Sequence, residues 1–71
     1  MSETRTRLAA LVVNYASGAF CVRCVESLIA EWEREGRLRD DLEIVVVDNA
    51  SPTDQEPFLT RIEELGATVV R

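Results

Sequence analysis

The stretch of sequence that decides the fold is Leu42-Glu43-Ile44-Val45-Val46-Val47, which is followed by Asp48-Asn49. Isoleucine and three valines in a row are typical of a β-strand, because β-branched side chains pack well on a pleated surface. The polar residues at both ends of the run, including Asp41, favour turns and mark where the strand begins and ends. The run is apolar at nearly every position, as in strands that have both faces covered. We therefore predict a buried strand over Leu42–Val47.

A strand and a helix are predicted on the amino-terminal side of this run. Leu8–Val13 (LAALVV) is a short apolar run that ends in a turn-rich stretch, Asn14-Tyr15-Ala16-Ser17-Gly18. Ser17 is a candidate N-cap for the helix that follows, and Gly36 lies where a C-cap glycine is favoured. Between them, apolar residues recur at the spacing of one helical face: Cys21, Cys24, Val25, Leu28, Ile29 and Trp32.

A shorter helix and a third strand are predicted on the carboxyl-terminal side. Thr53 or Asp54 can cap this second helix, and Pro57 then falls in its first turn, where proline costs little. The helix is expected to end at Gly66, and Ala67–Val70 (ATVV) is predicted to be the third strand. The apolar stripe of the helix is predicted to consist of Phe58, Ile62 and Leu65, with Leu59 beside it.

The resulting β-α-β-α-β order predicts an α/β fold with a three-stranded parallel sheet. Right-handed crossovers give the strand order 3-2-1 and place both helices on the same face. The other face of Leu42–Val47 and the free edge of Leu8–Val13 then have no cover within the 71 residues, so we expect the chain to be the front part of a larger sheet. The alternative is a small flavodoxin-like, non-catalytic unit that binds no ligand and self-associates through its bare sheet face or through the free edge of its first strand.

Composition restricts the classes of function. The chain has 71 residues, a net charge of −5, 46% hydrophobic residues and no histidine. The negative charge disfavours nucleic acids and anionic membranes as partners, because phosphate binding depends mostly on Lys and Arg. The lack of histidine removes catalytic triads and most zinc sites. No apolar run approaches the ~20 residues of a membrane span, and the polar Met1–Arg7 is unlike a secretory signal, so a cytoplasmic location is expected.

The candidate binding residues lie where the first two strands end. In open parallel sheets, ligands bind outside the carboxyl ends of the strands, and these ends are Asn14-Tyr15 and Asp48-Asn49. Asp48 is able to accept hydrogen bonds from a ribose hydroxyl or a base N–H; equally, it can do no more than hold its own loop, as far as Ser51, in an Asx turn. A nicotinamide dinucleotide is disfavoured, because the first loop has one glycine in place of a Gly-x-Gly-x-x-Gly turn.

The sequence Cys21-Val22-Arg23-Cys24 raises the alternative hypothesis of a thioredoxin-like oxidoreductase. In that mechanism the first cysteine lies at the N-terminus of a helix. Cys21 is instead predicted about one turn inside the helix, and both cysteines belong to its apolar stripe. We therefore favour a role as small core residues. A zinc site would lack further ligands.

Two segments resemble family 2 glycosyltransferases, which have the Rossmann-like GT-A fold. The first is LVVNYASGAF at 11–20 together with CVESL at 24–28, which looks like the opening strand and helix of that family. The second is IVVVDNAS at 44–51, which is similar to its second strand and VVDNAS loop. The resemblance runs from about Leu8 to Arg71 and is strongest to the rhamnosyltransferase-like group of bacterial cell-surface enzymes.

The resemblance implies an inverting transfer of a sugar from a nucleotide-diphosphate sugar, of the UDP or dTDP type, to a cell-surface glycan or a related acceptor. In the family, the residues after the first strand hold the base, which carries over to Asn14 and Tyr15. The acid after the second strand contacts the base or the ribose, which carries over to Asp48. Residues 1–71 would then be the N-terminal nucleotide-binding portion of a truncated glycosyltransferase domain, in the cytoplasm or at the inner membrane face.

The metal site of the family is not expected within this chain. Its Asp-x-Asp motif, which holds Mg²⁺ or Mn²⁺ against the diphosphate, comes after the third strand, as do the catalytic base and the acceptor half. Asp40-Asp41 and Glu63-Glu64 are adjacent pairs at the ends of elements and do not match that motif. We therefore expect no catalytic residue and no metal ligand here, and no transfer by the chain alone, although the full-length enzyme would use the metal.

Overall fold

The fold is taken from a computed structural model, which describes residues 7–49 and 51–71 of the chain. A strand, a helix, a second strand, a second helix and a third strand follow one another, with a short 3₁₀ turn before the second strand. Their bounds are β1 Leu8–Asn14, α1 Gly18–Arg34, the 3₁₀ turn Arg39–Asp41, β2 Leu42–Asp48, α2 Glu56–Glu64 and β3 Thr68–Val70. The predicted order of elements is confirmed.

The three strands form one parallel sheet in the order β1-β2-β3, so that β2 is the central strand. β1 and β2 pair from Leu8 opposite Leu42 to Asn14 opposite Asp48. β3 is short and pairs with Val45–Val47 of β2. The predicted α/β fold with a three-stranded parallel sheet is confirmed. Because β1 and β2 end in register, the loops that follow them leave the sheet side by side.

Both helices pack on one face of the sheet. β2 directs Leu42, Ile44 and Val46 to this face, and all three side chains are buried. Burial of such a side chain contributes about 1.5–3 kcal/mol, so this alternation accounts for much of the stability that β2 provides. The buried apolar residues that complete the core are Cys21, Val25 and Trp32 of α1, Leu59 and Ile62 of α2, and Ala67.

The other face of the sheet is bare. On β1, Leu11 is 70% exposed and Val13 is 58% exposed. Val45 and Val47 of β2 are partly buried by their neighbours, and Val70 of β3 is exposed. The continuous apolar pattern of β2 therefore has cover on one side only within the described residues, as the sequence predicted.

The first helix begins where it was expected, but its N-terminus is held differently. Ser17 occupies the N-cap position, and its side chain makes no capping hydrogen bond. The backbone N–H of Gly18 instead donates to Oε1 of Gln55 at 2.8 Å. A Cβ atom at Gly18 would overlap the side chain of Phe58, so the close approach of the two helices requires glycine here. At the other end, Gly36 has a φ of +77°, which suits a glycine that ends a helix.

The cap of the second helix was predicted wrongly. The N-cap position is Gln55 instead of Thr53 or Asp54, although Oδ1 of Asp54 accepts a hydrogen bond from the backbone N–H of Glu56 at 3.0 Å. Pro57 lies in the first turn, as expected. The reason for the later start is that the side chain of Gln55 points inward, where it accepts a hydrogen bond from Gly18 at the start of α1.

The apolar stripe of this helix differs from the prediction at one position, since Ile62 and Leu65 contact the core as expected but Leu59 takes the place of Phe58. Leu59 and Ile62 are buried in the core, whereas Phe58 is 36% exposed. Phe58 lies against Gly18 at the start of α1 and does not reach the sheet core. Across residues 7–49 and 51–71, neither helix has the length and apolar character that a membrane crossing requires.

Candidate functional site

The side chains at the ends of β1 and β2 are in direct contact. Asn14 and Asp48 lie opposite each other in the sheet, and Nδ2 of Asn14 donates to Oδ1 of Asp48 at 3.0 Å. The backbone oxygen of Asn14 accepts a hydrogen bond from the backbone N–H of Asn49 at 2.8 Å, which extends the pairing beyond the strands. Two of the residues selected from the sequence thus lie together at the carboxyl ends of β1 and β2.

Asn14 is completely buried, with 0% of its surface exposed, and its side chain links several segments of the chain. Its Nδ2 also lies 3.4 Å from Oε1 of Gln55. Its Oδ1 accepts hydrogen bonds from the backbone N–H and the hydroxyl of Ser17, at 3.2 Å and 3.1 Å, and from the thiol of Cys21 at 3.4 Å. A side-chain amide offers two donors and two acceptor lone pairs, so the polar atoms of Asn14 are committed to the protein. They join the end of β1, the start of α1 and the loop before α2.

Asp48 is half-buried and holds the second loop. Its Oδ1 accepts from the hydroxyl of Ser51 at 2.6 Å as well as from Asn14. Asp48 therefore holds its own loop, as in the Asx turn that the sequence allowed, although the donor is the hydroxyl of Ser51 and not a backbone N–H. Both bonds use Oδ1, and no residue within 7–49 or 51–71 forms a hydrogen bond to Oδ2. One oxygen of the carboxylate therefore supports the loop, and the other retains its capacity to accept.

The loop after β1 carries an exposed aromatic side chain. Tyr15 directly follows Asn14 and is 59% exposed. Ala16 has a φ of +52°, a left-handed conformation that costs free energy for a residue with a Cβ atom. The backbone N–H of Ala16 donates to the hydroxyl of Ser51 at 2.9 Å, so the strained loop is tied to the loop after β2.

Gln55 is the residue of this site that sequence reasoning missed. It is buried, and its Oε1 accepts hydrogen bonds from the backbone of Gly18 and the amide of Asn14. Its Nε2 donates to the hydroxyl of Thr53 at 3.0 Å. One side chain thus connects the N-termini of both helices with the end of β1. A glutamine in a polar loop has no spacing or pattern that marks it, because its role depends on which loop folds against it.

Cys21 lies beneath the site and belongs to the core. It is 2% exposed, and its Sγ donates to Oδ1 of Asn14. Cys24 is partly buried, and both thiols are free. This position favours the packing role over the oxidoreductase hypothesis, because a thiol that exchanges disulfides must be reached by its substrate.

A charged triad stands at the end of β3. The guanidinium of Arg71 donates to both carboxylate oxygens of Glu56, at 2.9 Å and 3.0 Å, and to both oxygens of Glu63, at 3.2 Å and 3.1 Å. These hydrogen bonds hold the pKa of each glutamate below its ordinary value, and they raise the pKa of Arg71. Because two carboxylates occupy this guanidinium, it is poorly placed to bind a phosphate.

The residues around Asp48 do not form a binding site for a divalent metal. The groups that contact Asp48 are the amide of Asn14 and the hydroxyl of Ser51, both of which donate to it. Mg²⁺ and Mn²⁺ prefer sets of oxygen ligands that include carboxylates. In the part of the chain that the structure describes, no three Cys, Asp or Glu side chains are grouped so that they could hold a metal ion.

Two hollows lie at the other end of the sheet, beside Arg7, which precedes β1. The larger has a volume of about 490 Å³ and is lined in part by Asp40, Asp41 and Glu43. The smaller, of about 250 Å³, contains Trp32 in its wall. Acidic walls repel an anionic ligand, so the size of the larger hollow does not make it a nucleotide site. The candidate site at the strand ends is an open surface.

Comparisons with protein-family models, with curated proteins and with solved structures found no match to this chain. The interpretation of the site therefore depends on its own geometry and on the sequence motifs that surround it.

Proposed function

We propose that this chain is the nucleotide-binding portion of a glycosyltransferase-type domain and that it binds the nucleoside diphosphate part of a UDP- or dTDP-sugar. The observation that supports this most directly is the contact between Asn14 and Asp48 at the carboxyl ends of two neighbouring parallel strands. Ligands of open α/β sheets bind at such ends. The GT-A arrangement with strand order 3-2-1, of which this sheet would be one part, belongs to the same proposal.

In this proposal Asp48 and Tyr15 contact the ligand, and Asn14 holds them in place. Oδ2 of Asp48 accepts a hydrogen bond from a ribose hydroxyl or a base N–H, and a bond to a charged group contributes about 1.5–3 kcal/mol. The exposed ring of Tyr15 stacks on the base, which contributes about 1–3 kcal/mol. Asn14 acts as a positioning residue, because its burial and its internal hydrogen bonds leave it nothing to offer a ligand.

The same proposal predicts weak binding and no sugar transfer by the chain alone. Glycosyl transfer needs a carboxylate that deprotonates the acceptor hydroxyl and a positive group that neutralises the leaving diphosphate. Arg71 is the cation that follows β3, and it is already paired with Glu56 and Glu63. We therefore expect binding at millimolar concentrations of UDP, with or without Mg²⁺.

A titration of the ¹⁵N-labelled chain with UDP and dTDP, followed by the shifts of backbone amide signals, tests this function. Binding should shift the signals of Tyr15, Ala16, Asn49 and Ser51, and EDTA should not change the result. Inorganic pyrophosphate serves as the control ligand, because it carries the charge without the base. Shifts that pyrophosphate reproduces in full would show that the nucleoside is not recognised, and the proposal would then be wrong.

Matched variants assign the contacts. Asp48→Asn keeps an oxygen for the internal bonds but removes the charge, so it should weaken UDP binding about tenfold or more. Asp40→Asn, which changes an exposed carboxylate at the other end of the sheet, should have no effect. Tyr15→Phe should bind like the parent chain, whereas Tyr15→Ala should lose the stacking. Equal binding by the parent chain and Asp48→Asn would remove Asp48 from the site.

A further inference from the structure

The two edges of the sheet differ in how well they are protected against pairing with another strand. β3 is three residues long, and the ion-paired Arg71 follows it directly. β1 has seven residues, LAALVVN, with no charge and no proline. Short strands, charges and prolines are the usual means by which proteins prevent contact between edges. The residues of β1 itself, Leu8–Asn14, include none of the three, and the nearest charge is that of Arg7, which directly precedes the strand.

The direction of the backbone groups of β1 follows from its pairing with β2. The oxygen of Asn14 accepts from the N–H of Asn49 and therefore faces β2. Backbone groups alternate in direction along a parallel strand. The N–H and C=O of Ala9, Leu11 and Val13 consequently face away from β2, toward the free edge. The side chains of the same three residues lie on the bare face of the sheet, where Leu11 and Val13 are exposed.

We propose that two copies of this chain pair antiparallel along β1, with the two-fold axis at Leu11, to form a continuous six-stranded sheet. In this register Leu11 pairs with Leu11 of the second copy, and Ala9 pairs with Val13. Every outward N–H and C=O of these residues then gains a partner, and each facing pair of side chains on the bare face is apolar. If the register shifted by one residue, the outward N–H and C=O groups of one copy would face residues of the second copy whose own N–H and C=O groups are already bonded to β2.

Backbone hydrogen bonding favours edge pairing over stacking of two faces. Three strands of seven residues would make a sheet about 14 Å wide and about 23 Å long, and β3 has only three residues, so that one face presents less than roughly 330 Å². A stable interface buries about 800 Å² on each partner. Face stacking alone does not reach this area and leaves the outward N–H and C=O groups of β1 unpaired. Edge pairing also buries little area, but it gives these backbone groups hydrogen-bond partners in addition to the apolar contacts.

The association state of the parent chain and two variants tests the proposal by analytical ultracentrifugation over a concentration series. The parent chain should show a monomer–dimer equilibrium. Leu11→Pro removes a central outward N–H without touching the bonds to β2, and an edge strand tolerates proline at such a position; it should weaken the dimer about tenfold or more. Val45→Lys places a charge in the middle of the bare face and should leave the dimer intact. A parent chain that stays monomeric, or a dimer that Val45→Lys abolishes and Leu11→Pro does not, would overturn the proposal.

A disulfide measurement tests the register and does not depend on how Leu11→Pro folds. Facing residues of a hydrogen-bonded antiparallel pair have Cα atoms about 5.5 Å apart, within the range of a disulfide. Leu11→Cys should therefore form a covalent dimer on mild oxidation. Val13→Cys is exposed in the same way, but the two copies of Val13 would be more than 10 Å apart in this register, and it should not cross-link. The parent chain, with Cys21 and Cys24, gives the background. Cross-linking of Val13→Cys in place of Leu11→Cys would exclude the register.

Discussion

Replacement of Gln55 by alanine should destabilise the fold by about 2 kcal/mol, although Gln55 belongs to no apolar stripe. The buried N–H of Gly18 donates to Oε1 of Gln55 at 2.8 Å, and the amide of Asn14 lies 3.4 Å from the same oxygen. Loss of a helix cap costs about 0.5–2 kcal/mol, and a buried donor left without a partner costs about 1–3 kcal/mol. Both ranges refer to the loss of the same hydrogen bond, so they are not added, and about 2 kcal/mol lies within both.

The measurement is urea unfolding followed by helical circular dichroism. A domain of this size has a total stability of roughly 4–11 kcal/mol, and a urea slope of about 1 kcal/mol per molar turns the loss into a midpoint about 2 M lower. Native-state hydrogen exchange should also show faster exchange of the Gly18 amide than in the parent chain, because its acceptor is gone.

The matched control is Thr53→Ala. It removes the exposed partner of Nε2 of Gln55 and leaves both contacts of Oε1 in place. We expect it to change stability by less than about 0.5 kcal/mol, as for most exposed substitutions. A Gln55→Ala chain that unfolds at the same urea concentration as Thr53→Ala would refute the role assigned to this cap.

Two further predictions concern packing and pH. Gly18→Ala should destabilise the fold by about 1–3 kcal/mol in urea unfolding, because the added Cβ would overlap the side chain of Phe58. Helix propensity alone would predict a gain of about 1 kcal/mol. Arg71→Gln should raise the pKa values of Glu56 and Glu63 toward 4.5 in a titration followed by NMR. In the parent chain both pKa values are lowered by folding, so the stabilisation from Arg71 is present above pH 4.5 and lost as the pH falls through the folded values.

Each of these two predictions has a result that would contradict it. A Gly18→Ala chain that is more stable than the parent would show that propensity outweighs the steric contact. For the pKa measurement, Arg61→Gln is the control. Arg61 pairs with Glu26 and Glu64, so its replacement leaves the contacts of the two titrated glutamates, Glu56 and Glu63, unchanged. If Arg61→Gln and Arg71→Gln shift the two pKa values equally, the effect comes from net charge and not from the hydrogen bonds of Arg71.

The candidate site was only partly predictable from the sequence. The contact between Asn14 and Asp48 was predictable, because the apolar runs before them indicated two neighbouring parallel strands, and these strands end in register. The burial of Asn14 did not follow, because an asparagine after a strand is equally compatible with an exposed loop. Gln55 caps a helix whose first residue lies 37 positions earlier in the chain, and no local pattern encodes such a contact.

The sequence by itself determined the strands, the helices and their parallel order, because β-branched runs and helical spacing act over short distances along the chain. It also determined that one sheet face would be apolar and uncovered. The tertiary structure decided which residues close the helix ends, which of Phe58 and Leu59 enters the core, and which oxygen of Asp48 remains able to accept. These outcomes depend on the contact between the loop before α2 and the start of α1, and this contact exists only once the chain has folded.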